Sequence, residues 1–347
     1  MKKTLNIAVV GAGHLGTIHT RLLHQNPRFT VAGVVDPSES AREKITNEFS
    51  VPTFEDFSQI DAHVDAAIVA ASTNYHYPIV QYLLEKNIHV LVEKPITVSL
   101  EQANQVVDAA EHRKLVLQVG HNERFNATFV AATKHQPSVR YFEAARTSSY
   151  TFRSIDVGVV LDLMIHDLDL LLSMVDSPLI QVNAVGQAVF GQHEDIAQAR
   201  LQFANGTVAN LTASRCSFER NRWCRWFSEK GFVSANLDAN EVKSIAVPSW
   251  LSQQERDLNS LPADQQATIR DSLFEETLPL KSESIDPVNA IDCEHNDFYE
   301  SIQVGREPTV SGRDGRDALA AAEMILDSIQ QHRWMSDEGS PTIRKAA

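Results

Sequence analysis

The chain has 347 residues, a length suited to two domains, and its 43% hydrophobic and 22% charged content is close to ordinary globular proportions, which excludes general disorder. A formal charge of −14, from 31 Lys and Arg against 45 Asp and Glu, disfavours a nucleic-acid binder, and no run of about 18 apolar residues marks a membrane span. Met1-Lys2-Lys3 has the charge of a signal n-region, but the apolar stretch after it ends too early for a cleavable leader; Cys216, Cys224 and Cys293 lack CxxC spacing, so neither a disulfide framework nor a zinc site is indicated and a cytoplasmic location is expected.

Residues 5–10 form a short apolar run ending at Gly11, and 17–25 place Ile18, Leu22 and Leu23 at helical spacing: strand, glycine-rich turn, helix. A second run, 31–35, ends at Asp36, and a charged helix over 39–49 with Ala41, Ile45 and Phe49 on one face completes a βαβ unit. Strands at 66–71, 89–92 and 115–119, alternating with helices at 78–85 and 100–112, predict a parallel sheet covered on both faces. After Gly120 the grammar changes. Stretches 139–145, 180–190, 197–203 and 207–214 read as strands joined by short turns, with Asn205-Gly206 as a hairpin signal. An apolar helix over 160–175 interrupts them, and further helices are expected at 287–303 and 315–332. The fold class is therefore α/β: a doubly wound Rossmann domain over 1–122, an α+β domain with an open, largely antiparallel sheet over 123–335, and a tail over 336–347. Residues 251–286, rich in Asp, Glu, Ser and Gln, are expected as a surface excursion.

Gly11-Ala12-Gly13-His14-Leu15-Gly16 is a GxGxxG segment directly after a strand and opening a helix, with Asp36 twenty residues beyond its last glycine. Gly11 permits the tight turn, Gly13 lets a pyrophosphate approach the backbone, and Gly16 lets the helix pack on the strand. The free N–H groups at the helix start, from His14 and Leu15 onward, then hold the anion. Asp36 accepts hydrogen bonds from a ribose diol and repels a 2′-phosphate, and no Arg or Lys follows before Arg42, so NAD is expected rather than NADP. In such sheets the cofactor crosses between the first and fourth strands. That places Ser72, Thr73 and Asn74, with His76 close behind, beside the nicotinamide half, although the same loop serves equally to cap the next helix. The following strand delivers Glu93-Lys94-Pro95 to the same edge, where Lys94 is open to a solvated or a catalytic role.

The segment 160–172 is apolar enough that most of it must be buried, so its polar residues need a reason. Asp162, His166, Asp169 and Ser173 fall at i, i+4, i+7 and i+11, one stripe facing solvent or a polar cavity. A carboxylate one turn from an imidazole raises its basicity and orients it as a general base; a plain surface pair is the alternative. His166 and Asp167 point about 100° apart on a helix, so no metal is expected.

Taken together, the GxGxxG start, Glu93-Lys94-Pro95 and Asp162-x-x-x-His166-Asp167 resemble the Gfo/Idh/MocA family of NAD(P)-dependent sugar and polyol oxidoreductases. The resemblance implies that Glu93 and Lys94 lie at the nicotinamide, that Lys94 also meets the substrate hydroxyl, and that Lys94, Asp162 and His166 form the catalytic cluster with His166 as general base. It further implies a homo-oligomer, dimer or tetramer, built through the second sheet. Residues 118–126 and 155–162 are similar to the UDP-N-acetylglucosamine 3-dehydrogenase branch, whose members oxidise the sugar C3 hydroxyl to a ketone destined for amination in lipid A or other surface glycans. Asn122 and Ala127 depart from that branch, where an apolar residue and a proline are frequent. Asn122 and Arg124 are expected at the substrate, with an internal salt bridge as the alternative for Arg124.

A nucleotide-linked sugar needs local positive charge. Residues 215–230 carry Arg215, Arg220, Arg222, Arg225 and Lys230 against Glu219 and Glu229, an excess of +3, and Arg140, Arg146 and Arg153 add a second basic stretch. Arg146 and Arg222 are the expected diphosphate ligands. Trp223, Trp226 and Phe227 stack on a base or pack at an oligomer interface. The competing expectations are a myo-inositol-type polyol dehydrogenase, a glycosidase using tightly held NAD, and a non-enzymatic NAD-sensing regulator.

Overall fold

The computed structural model describes residues 3–60, 63–135, 138–151, 157–248 and 258–332. Arg153, residues 155–156 and the 336–347 tail lie outside the described residues.

The first half is built from β1 (Leu5–Val10), α1 (His14–Gln25), β2 (Phe29–Val35), α2 (Glu39–Phe49), β3 (Thr53–Phe54), β4 (Ala66–Val69), α3 (His76–Glu85), β5 (His89–Glu93), α4 (Leu100–Arg113) and β6 (Leu117–Gly120). The strands are all parallel in the order β3-β2-β1-β4-β5-β6. Ile7, Ala8, Val9 and Val10 of β1 and all of β4 are buried, because helices cover both faces; their sequences accordingly run apolar without alternation. Side-chain caps start the helices where the sequence changes character: the Ser38 hydroxyl accepts from the Ala41 N–H ahead of α2, and Ser99 from Gln102 ahead of α4.

The second half comprises α5 (Ala127–His135), β7 (Tyr141–Thr147), a π turn (Val160–Met164), α6 (Ile165–Leu172), β8 (Leu179–Gln187), β9 (Ile196–Phe203), β10 (Val208–Ser214), β11 (Asn221–Ser228), β12 (Gly231–Asn236), β13 (Glu241–Ala246), α7 (Ala263–Asp271), β14 (Leu280–Ser284), α8 (Ala290–Val304) and α9 (Gly312–Gln331). Its eight strands lie in the order β14-β13-β12-β11-β7-β10-β9-β8, antiparallel except for the parallel β7/β10 pair. The face carrying Phe142, Leu201, Phe203, Leu211, Trp226 and Val233 packs with Phe129, Leu168, Leu171 and Ile325 from the helices.

Three expectations change. The helix read as continuous over 160–175 opens with the π turn, in which the Ile165 N–H donates to the Val160 carbonyl, and the α-helix proper begins only at Ile165. Residues 280–284 leave the expected surface excursion and add an edge strand to β13. Helix α5 and strands β11–β13 were not anticipated. The chain past residue 286 also returns to the first sheet: Phe298 and Tyr299 of α8 join Ile7, Val9 and Leu91 in its core, whereas α9 sends Leu319 to the first half and Ala321, Ala322 and Ile325 to the second.

Candidate active site

The carboxyl ends of β1, β4 and β5 meet where the strand order reverses, and the glycine-rich turn leaves β1 at that edge. Gly11 has φ +101° and a Cβ there would lie 2.6 Å from the Ala70 carbonyl oxygen; one on Gly16 would lie 1.8 Å from that of Gly11, so side chains are barred from both. A Cβ on Gly13, by contrast, would meet nothing within 4 Å, so the loop is open at the position where a phosphate approaches. Helix α1 follows with no side-chain cap, leaving its first N–H groups for an anion. Asp36 stands at the end of β2, oriented by the Ala12 N–H on Oδ2 (2.7 Å) and the Ser38 N–H on Oδ1 (2.8 Å). Arg42 folds back to donate to the carbonyls of Asp36 and Pro37. Open loop, uncapped helix and fixed acid fit a dinucleotide.

Ser72 and Thr73 form the turn leading into α3 at this edge. His76, expected at the cofactor, is buried with both ring nitrogens 2.9 Å from carbonyl oxygens, those of Ala71 and Pro95. Neither nitrogen is turned to a ligand; the neutral ring donates to one of the two carbonyls and packs between the β4 turn and the Lys94–Pro95 segment, where the peptide bond is cis. Burial holds its pKa below the ordinary value. Glu93 is also buried, with Oε1 2.9 Å from His19 Nε2, rather than free in the crevice.

Lys94 does meet the polar stripe. Its Nζ donates to the Asp162 carbonyl (2.7 Å) and to Oδ1 (3.2 Å), joining the first sheet to the π turn. The expected Asp162–His166 pair does not form among the described residues, because the π turn changes the angular phase between positions 162 and 166. His166 Nδ1 is buried without a partner, which leaves Nε2 as the nitrogen facing the cleft. Its pKa lies well below the ordinary value, first through burial and then through Lys94, Arg146, His121 and Arg222. The sequence reading expected a carboxylate to raise it. The structure instead keeps the imidazole neutral at neutral pH, the form that accepts a proton.

His121, passed over in the sequence, sits edge-on to His166 with ring centroids 6.2 Å apart and both of its nitrogens buried and unpartnered. Its signal was its place directly after the carboxyl end of β6. Burial again lowers its pKa.

The expected substrate arginines are occupied. Arg146 is buried and donates through Nε and Nη2 to Asp167 and through Nη1 to Glu123 (2.7 Å). It is a strut between β7, α6 and the 122–125 turn, neutralised by two carboxylates and buried away from a diphosphate. Arg124 takes the internal reading: Nε and Nη2 bind buried Asp169 at 2.9 and 2.8 Å, and Nη2 reaches Asp314 of α9. Asp169 therefore faces an ion pair, not solvent. Arg215 pairs with Asp195, Arg220 with Asp238 and Arg225 with Glu143. Arg222 differs, being 38% exposed with its nearest carboxylate, Glu123, at 3.6 Å. The Asn122 side chain makes no hydrogen bond among the described residues. Trp226 is core, stacked on Phe142, whereas Trp223 and Phe227 alternate to the outer face of the sheet. Among the described residues no group of three His, Cys, Asp or Glu is placed to hold a metal, and no helix is long and apolar enough to cross a membrane.

Comparison with known proteins agrees with this geometry. Residues 5–121 match the model of the oxidoreductase family with an NAD-binding Rossmann fold, and residues 120–234 match the Gfo/Idh/MocA C-terminal domain. The chain belongs to the Gfo/Idh/MocA family. Among curated members, UDP-N-acetylglucosamine 3-dehydrogenase of Acidithiobacillus ferrooxidans is 29% identical over 94% of this chain and 97% of its own; its solved structure superposes with a TM-score of 0.82 at 28% identity, covering 94% and 98% of the two chains. Myo-inositol 2-dehydrogenase of Thermotoga maritima is 24% identical over 95% of this chain and 97% of its own. The fold is shared with GenD2 from gentamicin A biosynthesis, solved in complex with NAD (TM-score 0.76, 22% identity, 95% of both chains).

Proposed function

We propose that this family member is an NAD-dependent dehydrogenase of a sugar secondary hydroxyl, with C3 of UDP-N-acetylglucosamine as its substrate position. The observation that carries this reading is the convergence of Lys94, Asp162 and a neutral His166 at the carboxyl edge of a dinucleotide-type sheet. Bound NAD supplies the hydride acceptor. His166 takes the hydroxyl proton at Nε2, Lys94 donates a hydrogen bond to the reacting oxygen, and Asp162 holds Lys94 in place. Asp36, ordered by backbone N–H groups, supports NAD over NADP.

Arg222, partly exposed and electrostatically felt at His166, is the arginine of the basic stretch suited to a substrate phosphate, with Asn122 as a sugar ligand. The outer face of the second sheet, where Tyr141, Trp223, Phe227 and Phe232 lie, is the surface for a homo-oligomer in the cytoplasm. In this reading residues 1–122 form the cofactor domain and 123–335 the substrate domain, with α8 reaching back to the core of the first sheet. A second reading, a free-polyol dehydrogenase of the inositol type, is favoured by the internal pairing of Arg146, Arg215, Arg220 and Arg225, which removes cations from a nucleotide.

The test is isotopic. UDP-N-acetylglucosamine deuterated at C3 is expected to transfer its label to the reduced cofactor with a primary isotope effect. Turnover without transfer of the label refutes the C3 assignment.

A further inference from the structure

Behind Lys94 runs a buried chain of hydrogen-bonding groups that the acid–base cluster does not use. Glu93 Oε1 lies 2.9 Å from His19 Nε2, and His19 Nδ1 lies 2.8 Å from His295 Nε2. Both histidines are fully buried, and their rings are tilted at 37° with centroids 5.0 Å apart. The three residues belong to three elements: β5, which ends at Glu93 directly before Lys94; α1, whose N-terminus faces the phosphate site; and α8, which returns from the second half.

The geometry gives the chain a direction. Burial alone would raise the Glu93 pKa, but the hydrogen bond from His19 and the Lys94 charge hold it below the ordinary value, so Glu93 is an acceptor. His19 then donates to Glu93 through Nε2–H, and the single proton between His19 Nδ1 and His295 Nε2 continues the chain toward Glu93 when His295 donates it. The other carboxylate oxygen of Glu93 is turned to the Lys94 N–H at 3.3 Å, so the orientation of the carboxylate bears on the backbone that carries the lysine. His295 Nδ1 and both oxygens of neighbouring Glu294 are buried without partners, and burial holds the Glu294 pKa well above the ordinary value.

We propose that His19 and His295 are positioning residues: through Glu93 they fix the segment that places Lys94 Nζ on Asp162. This rests on the role of Lys94 given under the proposed function, but its test does not require turnover. A glutamine at position 19 reproduces the direction of the chain, its amide N–H₂ donating to Glu93 and its oxygen accepting from His295, whereas leucine breaks it.

The rate of reductive methylation of Lys94, followed by peptide mass, reports how firmly the amine is held. His19→Leu is expected to raise that rate several-fold in the full-length protein and His19→Gln to restore it to the wild-type value. If His19→Leu does not fold, Glu93→Gln is expected to show the same rise. Imidazole ¹⁵N spectra of the wild-type protein are expected to show both rings as Nε2–H tautomers. Where a sugar is turned over, kcat of His19→Leu is expected to fall about tenfold while the NAD Kd stays within about threefold, since misplacement acts on the chemical step.

An unchanged methylation rate in His19→Leu, a His19→Gln protein as reactive as His19→Leu, or an Nδ1–H tautomer at His19 would overturn the proposal. A wild-type protein with the expected tautomers and Lys94 protection that oxidises no sugar would instead reject the dehydrogenase reading and leave the positioning chain standing.

Discussion

Replacing Arg146 by methionine tests the buried ion network most sharply. The substitution leaves Asp167 without its bidentate partner and Glu123 without its shortest one, while Arg222 at 3.6 Å and Asn126 at 3.1 Å remain near Glu123. Removing one partner of a buried pair costs about 3–5 kcal/mol, because the stranded carboxylate loses its compensating charge without returning to water. With a urea dependence no steeper than about 3 kcal/mol per molar, the unfolding midpoint falls by about 1 M or more.

The loss also depends on pH. Burial already raises the Asp167 pKa above the ordinary value against the pull of Arg146, and without that pull Asp167 rises further, while Glu123 moves up from below its ordinary value. The folded variant then binds more protons than the unfolded chain above about pH 4, so its stability falls as pH rises through the folded pKa values. Urea titrations at pH 5.5 and pH 8 are expected to show the larger deficit at pH 8, and Arg146→Met/Asp167→Asn to recover about half of it. A deficit below about 1 kcal/mol, or one equal at both pH values, refutes the reasoning.

Further expectations concern the site and the core. His166→Ala is expected to lower kcat by about 10² with NAD affinity nearly unchanged, as for loss of a general base, and a small effect removes His166 from that role. Because its pKa is depressed, the wild-type kcat/KM is expected to persist below pH 6.5; Arg146→Met removes one of the depressing charges and should move the acid limb upward, and a downward shift contradicts the assignment. Asp36→Ala is expected to weaken NAD binding and relax discrimination against NADP in direct titrations, whereas a native preference for NADP overturns the reading of Asp36. Trp226→Ala should cost about 3–5 kcal/mol in urea unfolding through loss of core packing, and Trp223→Ala on the outer face should cost far less; equal costs contradict the burial pattern.

The first sheet was legible because each βαβ unit is local: apolar runs, glycine turn and Ser caps lie within about 30 residues, and parallel topology follows from alternation. The second sheet was legible as strands but not as an order, since β7 pairs with β10 and β11 across long stretches of sequence. Strand β11 was obscured by its arginines and tryptophans, which suggested ligand binding before they suggested alternation. Lys94 and Asp162 were singled out and do meet, but the Asp162–His166 pair does not form, because an i+4 argument assumes an α-helix and the π turn supplies something else. Likewise, a cluster of arginines in sequence does not reveal the carboxylates folded against it. Arg146 looked like a free cation because Glu123 and Asp167 lie 23 and 21 residues away.

The central claim is tested most directly by following absorbance at the NADH band for the purified protein with NAD and UDP-N-acetylglucosamine, coupled to a 3-aminotransferase that draws off the ketone, with myo-inositol in parallel. The account predicts reduction of NAD with the UDP-sugar and none with inositol. Reduction with inositol alone, or with neither, would contradict it.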